Sequence, residues 1–234
     1  MSSHRPLQIY KFLLFKNSMN KNRLEAFSDG VFAIVMTLLV IEIKVPHLYI
    51  FSEEGLATGI IELFPIFFAF FLSFTTLVYV WFAHNFLFTI SAINLTRKLM
   101  NANFILLAFV CLIPFSAALI GEYPESKIAV LIYSLNVALI GIITYIIRDY
   151  VYSSPDIENP HPDTISYTNR DKFYGTVRIA IAVFGSVLAV ILSFLDSRIS
   201  LAILVLQSII LVTPGAVALV SRLLLLDRLH RDSK

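Results

Sequence analysis

Six long apolar stretches fill most of this chain, and they leave few folds open to it. They lie near residues 24–45, 57–84, 99–121, 127–151, 173–195 and 199–226. Each is long enough for a helix to cross a hydrocarbon core, which takes about 20 residues. Charged side chains make up only 15% of the sequence and hydrophobic ones 58%, whereas soluble domains carry about 25% charged residues. The expectation is an all-α polytopic membrane protein with six transmembrane helices, forming one domain over residues 1–234. Residues 1–22 read as an N-terminal segment, 152–172 as the one long loop and 227–234 as a tail. Pro65 and Pro114 fall inside the second and third spans, where each could kink its helix. The fifth and sixth spans are divided only by Leu195-Asp196-Ser197-Arg198-Ile199, a tight hairpin.

The basic residues set an orientation. Of the 18 Lys and Arg, fifteen fall on the side of the N-terminus if the spans alternate, from Arg5 through Arg97 and Arg148 to Lys234. Only Lys44, Lys127 and Arg198 fall on the other. Cytoplasmic loops carry the excess of Lys and Arg, so both termini are expected in the cytoplasm. The first twenty residues hold charged and amide side chains and no small-residue cleavage site, so no signal peptide is read there. Net charge is +2, but these cations lie between apolar spans, which argues against a nucleic-acid surface. Cys111 sits in an apolar run and reads as a small buried residue. His161 and Asp163 lack the further ligands a metal site needs. The sequence has no P-loop, no Rossmann glycines, no His-Glu-x-x-His and no Thr-Val-Gly-Tyr-Gly filter.

The first span is unlike the others. Residues 23–46, RLEAFSDGVFAIVMTLLVIEIKVP, place Arg23, Glu25, Ser28 and Asp29 at the entry of an otherwise apolar helix. At about 100° per residue, Phe27, Ile34, Leu38 and Ile41 share one face. Ser28 and Asp29 lie beside that face and need partners from other helices. Asn22 and Glu25 offer a capping pair upstream, which would leave Ser28 and Asp29 inside the helix rather than at its cap. Ionisable groups at membrane depth mark function or a buried partner. Candidate partners are Trp81 and His84, late in the second span, and Asn101 and Asn103, early in the third. Alternation of sides brings all four near Ser28 and Asp29. Trp81 fits an interfacial belt equally well; for His84, orientation by Asp29 is the favoured reading. Taken alone, the aliphatic stripe Ile34, Leu38 and Ile41 is far more often packing or lipid contact than a pore.

The pattern Arg23-x-x-x-Phe27-Ser28-Asp29, with its continuation GVFAIVMTLLVIEIKVP, resembles the first pore helix of the potassium channels named transmembrane protein 175, particularly the short bacterial members. The Trp81 and His84 neighbourhood is similar too. The resemblance implies a potassium-selective channel conducting passively, without a cofactor, in a bacterial plasma membrane. Arg23, Phe27, Ser28 and Asp29 would form the motif that locks the pore helix to its neighbours, with Trp81, His84, Asn101 and Asn103 as the polar network. Ile34 would be the narrowest ring and gate, Leu38 and Ile41 further rings outward, and Thr37 a hydroxyl beside the path. One pore helix cannot enclose a path, so the resemblance implies a homotetramer. A proton-coupled secondary transporter using Asp29 and His84 is the alternative. A membrane enzyme lacks convergent catalytic groups.

Overall fold

The computed structural model describes residues 21–47, 50–90, 95–154, 169–213 and 215–223. The N-terminal segment up to residue 20, most of the 152–172 loop with His161 and Asp163, and the 227–234 tail lie outside the described residues. Nine α-helices make up the described chain: α1 (Lys21–Ile41), α2 (Glu53–Glu62), α3 (Phe64–Ile90), α4 (Arg97–Cys111), α5 (Ile113–Glu122), α6 (Lys127–Ser153), α7 (Asn169–Ser193), α8 (Ser197–Val212) and α9 (Ala216–Leu223). Five helical stretches are long and apolar enough to cross a membrane: 21–41, 64–88, 97–122, 127–153 and 173–193. A sixth, α8, is shorter and apolar. The fold class read from the sequence is the one observed.

The boundaries moved where proline sits. The second span divides at Leu63, whose N–H returns to Ile60 O at 3.2 Å. Pro65 therefore stands in the first turn of α3, where its missing N–H leaves no bond unmade. Pro114 occupies the same place in α5 after a break at Leu112. Both prolines begin a helix rather than bend the middle of one. At its other end α3 runs on to Ile90, past the expected boundary at 84, because apolar residues continue the helix beyond Asn85. The sixth span is not one helix: α8 stops at Val212, and Gly215 takes a left-handed φ of 81° before α9 begins. The Pro214-Gly215 pair in the sequence carries that break, since proline disfavours helix in the residue before it and glycine accepts positive φ.

Helix α6 is the hub. It packs against α3, α4, α5, α7 and α8, and Val130, Tyr133, Ile140 and Ile147 on it are essentially fully buried. The turn before α6 meets the α7–α8 hairpin at one end of the bundle. There Lys127 Nζ donates to Phe194 O at 2.7 Å, Ser197 Oγ donates to Glu125 O at 3.1 Å, and Arg198 pairs with Glu125. Asp196 caps α8 by accepting from Arg198 N at 2.7 Å. Helix α1 stands at the edge of this bundle, against α3, α4 and α5. Its placement decides which of its faces remains open.

Candidate pore face and its polar lock

Helix α1 has two contrasting sides. Leu24, Ser28, Phe32, Val35 and Leu39 recur at helical spacing and are buried against the neighbouring helices. Their phase puts Phe27, Ile34, Leu38 and Ile41 on the far side, and all four are exposed, Ile34 at 61% and Ile41 at 65%. Val35, one residue from Ile34, is 2% exposed. Thr37 is also exposed, and its hydroxyl donates to Ile34 O at 2.7 Å. An α-helical hydroxyl bonded to its own backbone retains lone pairs for another donor or a cation. Phe27 keeps one edge on the bundle, meeting Phe104 of α4 edge-to-face at 6.1 Å.

The buried side is fixed by a short run of hydrogen bonds. Ser28 Oγ donates to Leu24 O at 2.9 Å and accepts from Asn103 Nδ2 at 3.0 Å. Asn103 Oδ1 lies 2.8 Å from His84 Nε2. Because the Asn103 amide nitrogen is already turned to Ser28, its oxygen is the acceptor, and His84 carries its proton on Nε2 toward it. The His84 ring stacks on Phe88 at 4.3 Å and tilts against Phe32 at 5.7 Å. One side chain from each of α1, α3 and α4 is thus tied to the next. A second tie lies nearer the surface, where Trp81 Nε1 donates to Asp29 Oδ1 at 2.9 Å.

Several expectations change in detail. His84 bonds Asn103, not Asp29; the carboxylate is taken by Trp81. Asn101 is exposed and stands outside the network, because residues two apart on a helix face different ways. Asn22 does not cap α1, which is already helical at Lys21, and Glu25 pairs with Lys21 at 3.6 Å. Ser28 and Asp29 therefore lie inside the helix. Arg23 is exposed, and its position eleven residues before Ile34 puts it on the same face as Ile34 rather than in the polar lock. Glu42 is half-buried and Lys44 exposed just past the end of α1. Phe32, Phe88 and Phe104 support the lock without having been singled out. The first two were legible in principle, each lying four residues after Ser28 or His84 on the same helix face. Among the described residues no group of three or more His, Cys, Asp or Glu could hold a metal.

These features describe a helical membrane protein that holds one helix against its bundle by polar bonds and leaves that helix's aliphatic face uncovered. The model of the family described as endosomal/lysosomal potassium channel TMEM175 matches residues 23–114, the segment that holds α1, α3, α4 and every member of the lock. A potassium channel of Chamaesiphon minutus is 40% identical over 115 residues, spanning 48% of this chain and 56% of that protein. The chain thus matches little more than half the length of this relative. A potassium channel of Streptomyces collinus is 30% identical over 189 residues, covering 79% of this chain and 88% of that one. Among solved structures, a lysosomal potassium-selective channel TMEM175 homolog from Chamaesiphon minutus superposes with a TM-score of 0.63 at 28% identity, over 82% of this chain and 95% of that one. The chain belongs to the TMEM175 family.

Proposed function

We propose that this protein is a passive potassium-selective channel whose pore is lined by the exposed face of α1 from several copies. The observation that carries the reading is the exposed row Ile34, Leu38 and Ile41 on a helix whose opposite face is locked by Ser28, Asn103 and His84. An apolar row alone fits lipid as well as a pore. The family match tips the balance, since the model described as a potassium channel covers residues 23–114 and so nearly all of that helix, and relatives of this chain are named as potassium channels. A single copy supplies one such helix, so a path needs a closed ring, and a homotetramer is the assembly we infer. Ile34 is the narrowest ring, with Leu38 and Ile41 further outward and Thr37 beside the path. Rings of this kind pass ions only when wetted. We place the channel in a bacterial plasma membrane with both termini cytoplasmic. The Lys and Arg distribution supports that orientation, as does the meeting of Lys127 and Arg198 at one end of the bundle. The role is transport rather than catalysis. The proton-coupled transporter gains no support from the site, because Asp29 and His84 are bonded to different partners.

The test reads single-channel current and assembly together in liposomes with potassium and an imposed voltage. Ile34→Asn puts water-holding groups on a dewetted ring, so conductance should rise and selectivity over sodium fall. Ile34→Phe should reduce current, and Leu38→Asn should act like Ile34→Asn but more weakly. Val35→Asn, on the buried side, should cost stability without raising conductance. Normal assembly of Ile34→Asn with wild-type current would remove the pore assignment.

A further inference from the structure

A small cavity lies away from α1, among α3, α6, α7 and α8. Thr76, Tyr79, Gly141, Thr144, Ala182 and Gln207 are among its lining residues, and it leaves about 20 Å³ open to the centre of a water molecule. That volume exceeds the roughly 10–15 Å³ one water requires. Tyr79 lines it with a side chain that is 9% exposed and a hydroxyl that meets no hydrogen-bond partner. Gln207, 5% exposed, also lines it; its Nε2 donates to Ser186 Oγ at 3.2 Å, while its Oε1 is unpartnered. Thr144 Oγ1 donates to Ile140 O at 2.8 Å and Thr76 Oγ1 to Leu72 O at 2.9 Å. Each threonine oxygen can still accept a hydrogen bond, although Thr76 Oγ1 also lies 3.5 Å from Ser208 Oγ.

We propose that this cavity is a binding site for a single structural water, accepting from the Tyr79 hydroxyl and donating to lone pairs of the lining oxygens. A buried hydroxyl left without a partner is costly, and a water with two to four polar neighbours removes that cost. The same lining argues against a cation. Among the described residues no carboxylate lines the cavity, and Arg178 of α7 stands within electrostatic reach of the Tyr79 hydroxyl, so a second positive charge would be repelled. The cavity is also too small for a polar organic molecule. The site serves packing between the α7–α8 hairpin and the rest of the bundle, and it lies off the face assigned to the pore.

The experiment is hydroxyl-radical footprinting of the full chain in lipid nanodiscs, with rapid mixing into oxygen-18 water to distinguish trapped from bulk water. Tyr133 is the internal control: it is fully buried, and its hydroxyl accepts from Ser73 at 3.2 Å. Tyr79 should be oxidised clearly above Tyr133, with oxygen from slowly exchanging water. Oxidation of Tyr79 no greater than that of Tyr133 overturns the site. Thermal unfolding of Tyr79→Phe gives an independent reading by sign. If a water serves the hydroxyl, its removal lowers the midpoint by about 2–4 °C, the shift expected for one lost hydrogen bond in a chain of this size. If the hydroxyl is dry, the substitution removes an orphaned polar group and the midpoint stays or rises, which also overturns the proposal. Should Tyr79→Phe fail to fold, the wild-type footprint decides.

Discussion

Between α1, α3 and α4, hydrogen bonds run unbroken from Leu24 O through Ser28 and Asn103 to His84, every distance between 2.8 and 3.0 Å. Between α3, α6, α7 and α8 the polar groups are more numerous but less complete. Ser73 reaches Tyr133 and Gln207 reaches Ser186, whereas the Tyr79 hydroxyl and Gln207 Oε1 meet no partner among the described residues. In a membrane, apolar surfaces of helices have little reason to prefer one another over lipid, so polar bonds and close packing decide which faces meet. The α1 seam uses that rule to fix one helix in one rotation. The inner cluster leaves space among its donors and acceptors, so the helices around it are held by packing more than by a closed run of bonds.

The largest expected effect tests the closed seam. Asn103→Leu leaves the buried His84 Nε2–H without its acceptor and Ser28 without its donor. The interhelical bond itself is worth about 0.6 kcal/mol in a membrane protein, but an orphaned buried group costs about 1–3 kcal/mol. A loss of about 2–3 kcal/mol is therefore expected, read as a lowered unfolding midpoint and lower yield of assembled protein. Adding His84→Phe to Asn103→Leu removes the orphan and should restore most of the loss. If the double variant is as weak as the single one, the cost arose from shape, and the seam is not the hydrogen-bonded lock described.

A middle-sized effect tests the looser cluster. A Cβ built on Gly185 would lie 2.1 Å from Gln207 Oε1, so Gly185→Ala must push the carboxamide away from α7. That movement breaks the Gln207–Ser186 bond, at about 1–2 kcal/mol. Gln207→Ala in the same chain removes the collision, so the two substitutions should be clearly non-additive by thermal unfolding. Additive losses would place Gln207 elsewhere.

The sequence made some of this legible and hid the rest for physical reasons. The apolar runs and their lengths announced the fold class, and α1 was singled out because polar residues in its entry contradict its hydropathy. Helical spacing grouped Ile34, Leu38 and Ile41 on one face, but spacing alone did not tell whether that face would be packed or left open. The pairing of the lock did not follow. Asn101 and Asn103 are equally polar and only one can face α1, which depends on the rotation of α4 within the bundle. His84 and Asp29 were both plausible for each other, and the indole of Trp81 was closer to the carboxylate. The α8–α9 break was written in Pro214-Gly215, but hydropathy averaged across it. The inner cavity was hidden most thoroughly, since Tyr79, Thr144 and Gln207 come from helices far apart in sequence and look like scattered hydroxyls and amides until the bundle closes.

The smallest expected effect separates the seam's buried tie from its exposed one. An Asp inside a membrane helix suggests from sequence a charge whose partner cannot be removed without a loss of several kcal/mol. Asp29 is instead exposed at the surface of the single chain, and its bond comes from the neutral indole of Trp81. No buried charge is left behind when the carboxylate goes. Asp29→Asn keeps an oxygen able to accept from Trp81 Nε1, so stability should change by no more than a few tenths of a kcal/mol. Asp29→Ala removes the acceptor and should cost about 0.5–1 kcal/mol, the range of an ordinary hydrogen bond. Unfolding midpoints for the two variants, measured beside Ser28→Ala, give the order. Ser28→Ala should be the most damaging of the three, because Ser28 is 0% exposed and receives the Asn103 amide. If Asp29→Asn proves worse than Ser28→Ala, the charge itself matters, and Asp29 must meet a cation supplied by another copy of the chain.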